Sequence, residues 1–124
     1  MKAPGDFPGG EQGEELTVSF TVLGRAFVGL NGGPNFKPTE AVSFMVITED
    51  QAETDRYWNA ITGNGGAESA CGWCKDRWGF SWQITPKRLL ELTEGGGERA
   101  KRAFQAMMTM HKIDIATIEA ARRG

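Results

Sequence analysis

The sequence predicts an α+β fold, strand-rich through its first two thirds and helical after that. Three observations predict it. Apolar and polar residues alternate strictly from Leu16 to Val22, the period of a strand with one buried face. Thr54, Trp58 and Ile61, with Tyr57 beside them, recur at helical spacing between two β runs. Beyond Pro86 the leucines, alanines and methionines fall at helical spacing and no strand pattern returns. The coarse order is ββ–β–α–ββ–ααα, a strand-then-helix arrangement of the α+β kind.

Each element has a local reason. Residues 1–13 are rich in Gly and Pro and polar otherwise, so they read as a flexible lead-in. Leu16, Val18, Phe20 and Val22 share one strand face and Thr17, Ser19 and Thr21 the other. Leu23-Gly24-Arg25 turns the chain and Ala26 to Leu30 returns, a hairpin. Asn31-Gly32-Gly33-Pro34 fits neither periodic structure and is a loop. Ala41 to Ile47 is a third strand, with Val42, Phe44 and Val46 on one face. Thr48-Glu49-Asp50-Gln51 has the pattern of a capping box at a helix start. The helix runs to about Thr62, where Gly63-Asn64-Gly65-Gly66 stops it. Ser69 to Trp73 and Phe80 to Ile84 read as two strands around Lys75-Asp76-Arg77-Trp78-Gly79. Thr85 is placed to cap a short helix with Pro86 at its first position and Leu89, Leu90 and Leu92 as its apolar face. Arg99 to Met110 reads as the next helix, with Ala103, Phe104 and Met107 in core spacing. Asp114 reads as the cap of a last helix, and Ile113 and Ile118 as its hydrophobic staple.

Composition narrows the function classes. The chain has 124 residues, 40% of them hydrophobic, with four Trp and seven Phe, enough for one domain with a real core. The formal net charge is −2, so bulk attraction to nucleic acid or to an acidic membrane is weak, and neither is expected as a partner. The charge is uneven: net −6 over residues 1–55 and +4 over residues 56–124. No apolar run approaches the ~20 residues of a membrane span, and the first fifteen residues lack a signal-peptide core. A cytoplasmic location follows as the default expectation. Two cysteines are too few for a disulfide framework. Glycine, at 17 of 124 residues, is about twice its usual share of ~7% and marks turns.

The strand and loop signals, taken together, resemble those of the vicinal-oxygen-chelate (glyoxalase/bleomycin-resistance/dioxygenase) superfamily. The likeness is to its PhnB-like branch, the "3-demethylubiquinone-9 3-methyltransferase" domain. The residues that carry it are Leu30-Asn31-Gly32-Gly33-Pro34, Phe36-Lys37, Glu40-Ala41-Val42-Ser43-Phe44, Tyr57-Trp58, Cys71-Gly72-Trp73, Lys75-Asp76, Trp78-Gly79, Ser81-Trp82-Gln83 and Lys112-Ile113-Asp114-Ile115. The resemblance implies a glyoxalase-like βαβββ module, preceded by a β-hairpin and followed by C-terminal helices. Residues 14–124 are then a single domain. Within it, 14–33 is the hairpin left from an N-terminally truncated first module, 39–86 is the second module, and 87–124 holds the helices. Half of one sheet is missing on this reading, so a homodimer is expected, side by side or with exchanged elements.

Metal-dependent members of the superfamily use His and Glu ligands on the concave strand faces. Aligned by strand ends, those positions hold Gly29, Ser43 and Gln83. Hard divalent ions want carboxylates and borderline ones imidazole, so no divalent metal and no other cofactor is expected. Asn31, Ser43 and Gln83 are the candidate ligand-binding residues for an unidentified small molecule, and no catalytic residue is assigned. The methyltransferase label lacks a Gly-rich turn opening a helix, which would hold a charged group, because Asn31-Gly32-Gly33-Pro34 lies between strands. The expected function is therefore that of a dimeric, metal-free small-molecule binder or cryptic enzyme. The alternatives are a divalent-metal-dependent lyase, isomerase or dioxygenase of the same superfamily, and a structural remnant without ligand.

Other motifs read as structural. Cys71-Gly72-Trp73-Cys74 has redox or zinc spacing, but it falls in or near a strand, where residues i and i+3 are ~10 Å apart and face opposite sides. Zinc would also need two further ligands, and the chain has one histidine. That histidine, His111, reads as a surface group at a helix C-terminus. The four tryptophans read as core. Trp82 faces away from Gln83, which leaves Ser81 and Gln83 on the candidate concave face.

Overall fold

The computed structural model describes residues 1–124. They form two compact units, Met1–Lys37 and Pro38–Gly124.

The first unit is built on an antiparallel hairpin of β1 (Thr17–Val22) and β2 (Arg25–Leu30). Val18 pairs with Gly29, Phe20 with Phe27 and Val22 with Arg25, so these side chains share a face. The rings of Phe20 and Phe27 stack with centroids 5.6 Å apart. The alternation predicted a half-buried strand, but Val18 and Phe20 are 54% and 46% exposed. A two-stranded ribbon has no third strand or helix of its own to cover that face. The lead-in is more ordered than its composition suggests. Ala3 is buried, its amide donates to the Glu14 carbonyl, and its carbonyl accepts from Gly13. Phe7 and Gly10 exchange backbone hydrogen bonds of 3.0 Å. Backbone pairing, to which Gly and Pro content is indifferent, holds these residues against the start of the hairpin.

The second unit opens with β3 (Ser43–Thr48), α1 (Gln51–Thr62), β4 (Ala67–Glu68), β5 (Trp73–Lys75) and β6 (Ser81–Pro86). Three helices follow: α2 (Lys87–Thr93), α3 (Gly97–Met108) and α4 (Ile115–Arg123). The four strands form one mixed sheet in the order β3-β6-β5-β4, with β3 parallel to β6 and the other pairs antiparallel. The helix α1 covers one face. Trp58, Cys74 and Ile84 are its buried centre, with Val46, Tyr57, Ile61 and Trp82 packed around them. The Trp58 indole N–H donates to Glu68 Oε1 at 3.0 Å, so its polar edge is satisfied while its rings are buried. The helices α2, α3 and α4 build a second core from Leu89, Leu92, Ala103, Ile113 and Ile118.

Three local readings shift. The helix α1 is capped by Asp50, whose carboxylate accepts from the Glu53 amide at 2.8 Å. Thr48, read as the cap, is instead the buried last residue of β3, and its hydroxyl bonds that of Thr54 at 2.6 Å. Gln51 reaches across the fold: its amide nitrogen donates to the Ile113 carbonyl and its oxygen accepts from the Ile115 amide, both at 2.9 Å. Thr85 is likewise no helix cap. It pairs with Ile47 inside the sheet, and β6 runs on to Pro86. The last helix does start as expected, with Asp114 accepting from the Thr117 amide and with Ile113 and Ile118 both fully buried.

The expected strand Ser69–Trp73 is instead mostly a turn. Cys71 and Gly72 both have positive φ, 58° and 82°, so the chain reverses there, and β5 starts only at Trp73. A Cβ on Gly72 would lie 3.0 Å from Ile113 Cγ1 and 3.1 Å from the Ile84 carbonyl oxygen. Only glycine has both the backbone freedom and the space.

Gly79 tests this by contrast, because its φ is +89° but nothing lies within 4 Å of a Cβ placed there. Gly79→Ala is expected to cost about 1–2 kcal/mol, the left-handed penalty alone. Gly72→Ala should cost at least about 1 kcal/mol more, from crowding. Urea denaturation of both variants checks the difference, and equal losses would mean that Ile113 simply moves aside.

Candidate functional site

The face of the sheet away from α1 follows from strand register. Val46 and Ile84 are paired and face α1, so the next pair toward each strand start, Met45 and Gln83, faces the other way. Trp73 pairs with Gln83 from the β5 side, and Thr85 continues the same row of β6. This face meets α2 and α3 around a cavity of about 400 Å³. Met45, Trp73 and Gln83 line its sheet side, and Phe104, Met107 and Met108 its α3 side. That volume falls within the range of small-molecule pockets, ~300–1,000 Å³. Its wall is apolar apart from a few groups, chiefly the Gln83 amide and the Thr85 hydroxyl.

Two of the three candidate ligand-binding residues are brought together. The Gln83 side-chain nitrogen donates to the Ser43 hydroxyl oxygen at 2.8 Å, across the β3–β6 pair. That bond fixes the amide while leaving its carbonyl oxygen without a protein partner. Asn31 lies in the first unit, where its side-chain nitrogen donates to the carbonyls of Gly9 and Glu15 at 3.4 and 3.3 Å. Its amide is engaged in closing the N-terminal segment. Gly33 in the same loop has φ of +80°, and a Cβ there would lie 2.6 Å from the Pro8 oxygen. The glycine of this loop thus serves a close backbone approach, and no helix follows until α1, so the loop does not fit the anchoring of a charged methyl donor.

The positions aligned with metal ligands hold no fitting donor set. Gly29, in β2, has no side chain. Ser43 offers a hydroxyl and Gln83 a neutral amide, and these two bond each other. No three His, Cys, Asp or Glu side chains in the chain are grouped to hold a metal ion. This chemistry does not fit a hard or borderline divalent cation.

Reading the sequence alone missed most of the cavity wall. Phe104 was expected in the core with Ala103 and Met107. Ala103 is fully buried, but Phe104 is 50% exposed and lines the cavity. Met45 alternates with Phe44 and Val46, so its position on the opposite face was available from the strand period. Trp82 faces away from Gln83 as expected, and packs against the core under α1. Its indole N–H donates to Asp76 Oδ2 at 3.0 Å, and Asp76 Oδ1 accepts from the Trp78 and Phe80 amides. One carboxylate therefore organises the whole β5–β6 turn.

The two thiols are free and differ in environment. Cys74 is buried beneath α1. Burial, reinforced by the nearby Asp76 and Glu68 carboxylates, pushes its thiol up to about 11. Cys71 sits in the left-handed turn, half-buried, and its Sγ approaches Met108 Sδ at 3.6 Å beside the cavity. A redox pair needs a lowered thiol pKa, and Cys74 shows the reverse. His111, expected at a helix end, is exposed and places Nδ1 3.0 Å from the Ser69 carbonyl oxygen, tying the chain before β5 to the segment after α3.

Residues 1–85 match the family described as 3-demethylubiquinone-9 3-methyltransferase. The match spans more than two thirds of the 124 residues, and the chain belongs to that family. The unit from β3 to β6 is accordingly a glyoxalase-like α+β module. No curated protein matches the chain.

The thiol environments give a direct expectation. Iodoacetamide at pH 8 should alkylate Cys71 in the native protein and reach Cys74 only after unfolding, as read by peptide mass mapping. The raised pKa of Cys74 also sets a pH window. The folded state holds the proton more tightly than the unfolded chain, whose thiol ionises near 9.0. This contribution to stability is therefore complete below pH 9 and lost as pH rises toward 11.

Proposed function

We propose that this member of the 3-demethylubiquinone-9 3-methyltransferase family is a metal-free small-molecule binding protein of the PhnB-like kind. Its ligand lies between the sheet and α3. The observation that carries the reading is the 400 Å³ cavity whose mostly apolar wall includes an amide pinned by a neighbouring hydroxyl. Such a wall suits a largely apolar molecule with one hydrogen-bonding group. Its apolar part would rest on Met45, Trp73 and Phe104, and its polar group would meet Gln83. Methionine thioethers adapt to irregular shapes, which favours a site tolerant of ligand outline and selective for the position of one polar atom. The nucleophilic side chain at the cavity, the Cys71 thiol, is turned to the Met108 thioether at 3.6 Å; binding is the activity assigned, and no methyl transfer is derived.

The protein acts as a homodimer in the cytoplasm on this reading. Support for the dimer comes from the hairpin, where the outer edge of β2, and that of β1 beyond its first residue Thr17, is unpaired and Val28 and Leu30 are 68% and 67% exposed. An apolar ribbon with such open edges invites pairing with another chain. No helix of the chain is long and apolar enough to cross a membrane.

Native mass spectrometry of untreated protein reads ligand, metal and assembly together. The expected species is a metal-free dimer carrying an adduct of small-molecule mass. Stoichiometric metal, with loss of the adduct on chelation, would replace this reading with a metalloenzyme. Once the adduct is known, Gln83→Leu should weaken its binding about 2- to 13-fold, the value of one net hydrogen bond of ~0.5–1.5 kcal/mol. Unchanged affinity in that variant would remove Gln83 from the site.

A further inference from the structure

We propose that a second cleft, formed where α2, α3 and α4 converge, is a binding site for a compact, multiply charged phosphate anion. The cleft has a volume of about 260 Å³ and is lined by Arg88, Leu92, Arg99, Glu119, Arg122 and Arg123. Four guanidinium groups therefore face one carboxylate, in a chain whose formal net charge is −2. Arg88 already has partners: Nε donates to Glu119 at 2.7 Å and Nη1 to Glu91 at 2.9 Å. Arg122 donates from Nη1 to the Leu92 carbonyl. Arg99 and Arg123 are exposed and make no hydrogen bond or ion pair with the protein. With Glu91 included, two positive charges remain uncompensated.

The placement of Arg99 is the informative part. Arg122 and Arg123 occupy the last turn of α4, where cations complement the helix dipole and need no further explanation. Arg99 stands in the first turn of α3, where a cation is unfavourable. Gly96, the N-cap of α3, provides no side-chain hydrogen bond there. Helix stability therefore does not account for Arg99, and its position brings a third helix's charge to the same cleft. A bound oxyanion would offset the mutual repulsion of the guanidinium groups and engage their planar forks in paired hydrogen bonds. At ~30 Å³ per water, the volume equals roughly nine waters, room for a phosphate or diphosphate group. A long polyanion would need a larger basic surface than this chain presents.

Titration calorimetry of the full chain with inorganic pyrophosphate at low, matched ionic strength tests the site. Saturable binding is expected, weakened at least about tenfold in R99A/R123A. The charge-preserving R99K/R123K should bind with intermediate affinity, because lysine keeps the charge and loses the fork. Phe104→Ala, in the other cavity, should leave pyrophosphate binding unchanged. Absence of saturable binding at millimolar pyrophosphate, or equal affinity in R99A/R123A and the parent, overturns the proposal.

Discussion

The cavity between sheet and helices depends on one tight backbone approach at Cys71–Gly72. Gly72 donates to the His111 carbonyl at 2.7 Å, Cys71 donates to the Met110 carbonyl at 2.8 Å, and the Gly72 carbonyl accepts from Ile84 at 2.8 Å. Three bonds on two residues thus join β6 to the segment between α3 and α4. Gln51 holds the same segment from the other side through Ile113 and Ile115. The α3–α4 connection is thus fixed on one side to the turn that bonds β6 and on the other to α1. That fixing keeps Phe104, Met107 and Met108 opposite Met45 and Trp73. Without the left-handed pair, Gly72 could not lie so close to both Ile113 and the Ile84 carbonyl, and these three bonds would be lost.

What the sequence made legible were the features with a period. The strand alternation around Phe44 and Val46, the Thr54–Trp58 spacing and the Asp114 cap with its two isoleucines correspond to elements and core residues of the structure. The Trp82/Gln83 alternation also sorted these side chains to their two faces. Features set by a single dihedral angle were not legible. Ser69 to Trp73 has the composition of a strand, and only the backbone of Cys71 and Gly72, forced by what packs against it, turns it. The caps at Thr48 and Thr85 were misplaced for a related reason. Both hydroxyl residues suit a helix start, but both are held in the sheet by β3–β6 pairing, which no local pattern encodes.

The candidate site shows the same division. That Ser43 and Gln83 share a face was legible because each lies on a strand whose period is visible, and their mutual bond follows from β3 and β6 being parallel neighbours. Asn31 was a candidate from its place in the loop after β2, which shows nothing of what its amide bonds. The carbonyls of Gly9 and Glu15 that engage it belong to a segment whose composition gave no sign of pairing. Phe104 could not be told from a core residue, since both the core and the cavity wall demand an apolar side chain at helical spacing. What separates them is whether another apolar group fills the space opposite, and that is decided by residues on β3 and β5 many positions away.

The short helix α2 relates the two concave regions of the second unit. Leu89 and Leu92 bury it in the same core as Ile113 and Ile118, which makes it a firm wall. One of its flanks presents Leu90 and Thr93 to the apolar cavity, and the other presents Arg88 to the arginine cleft. Its stability comes from those two leucines, because neither end has a side-chain cap and the Gly95-Gly96-Gly97 link to α3 has positive φ throughout. Damage to Leu89 or Leu92 would therefore disturb both regions through the core. Phe104 lines the apolar cavity and Arg99 the arginine cleft, and neither lines both. The helix α3 thus borders the apolar cavity with Phe104 and the arginine cleft with Arg99, and α2 is the boundary the two regions share.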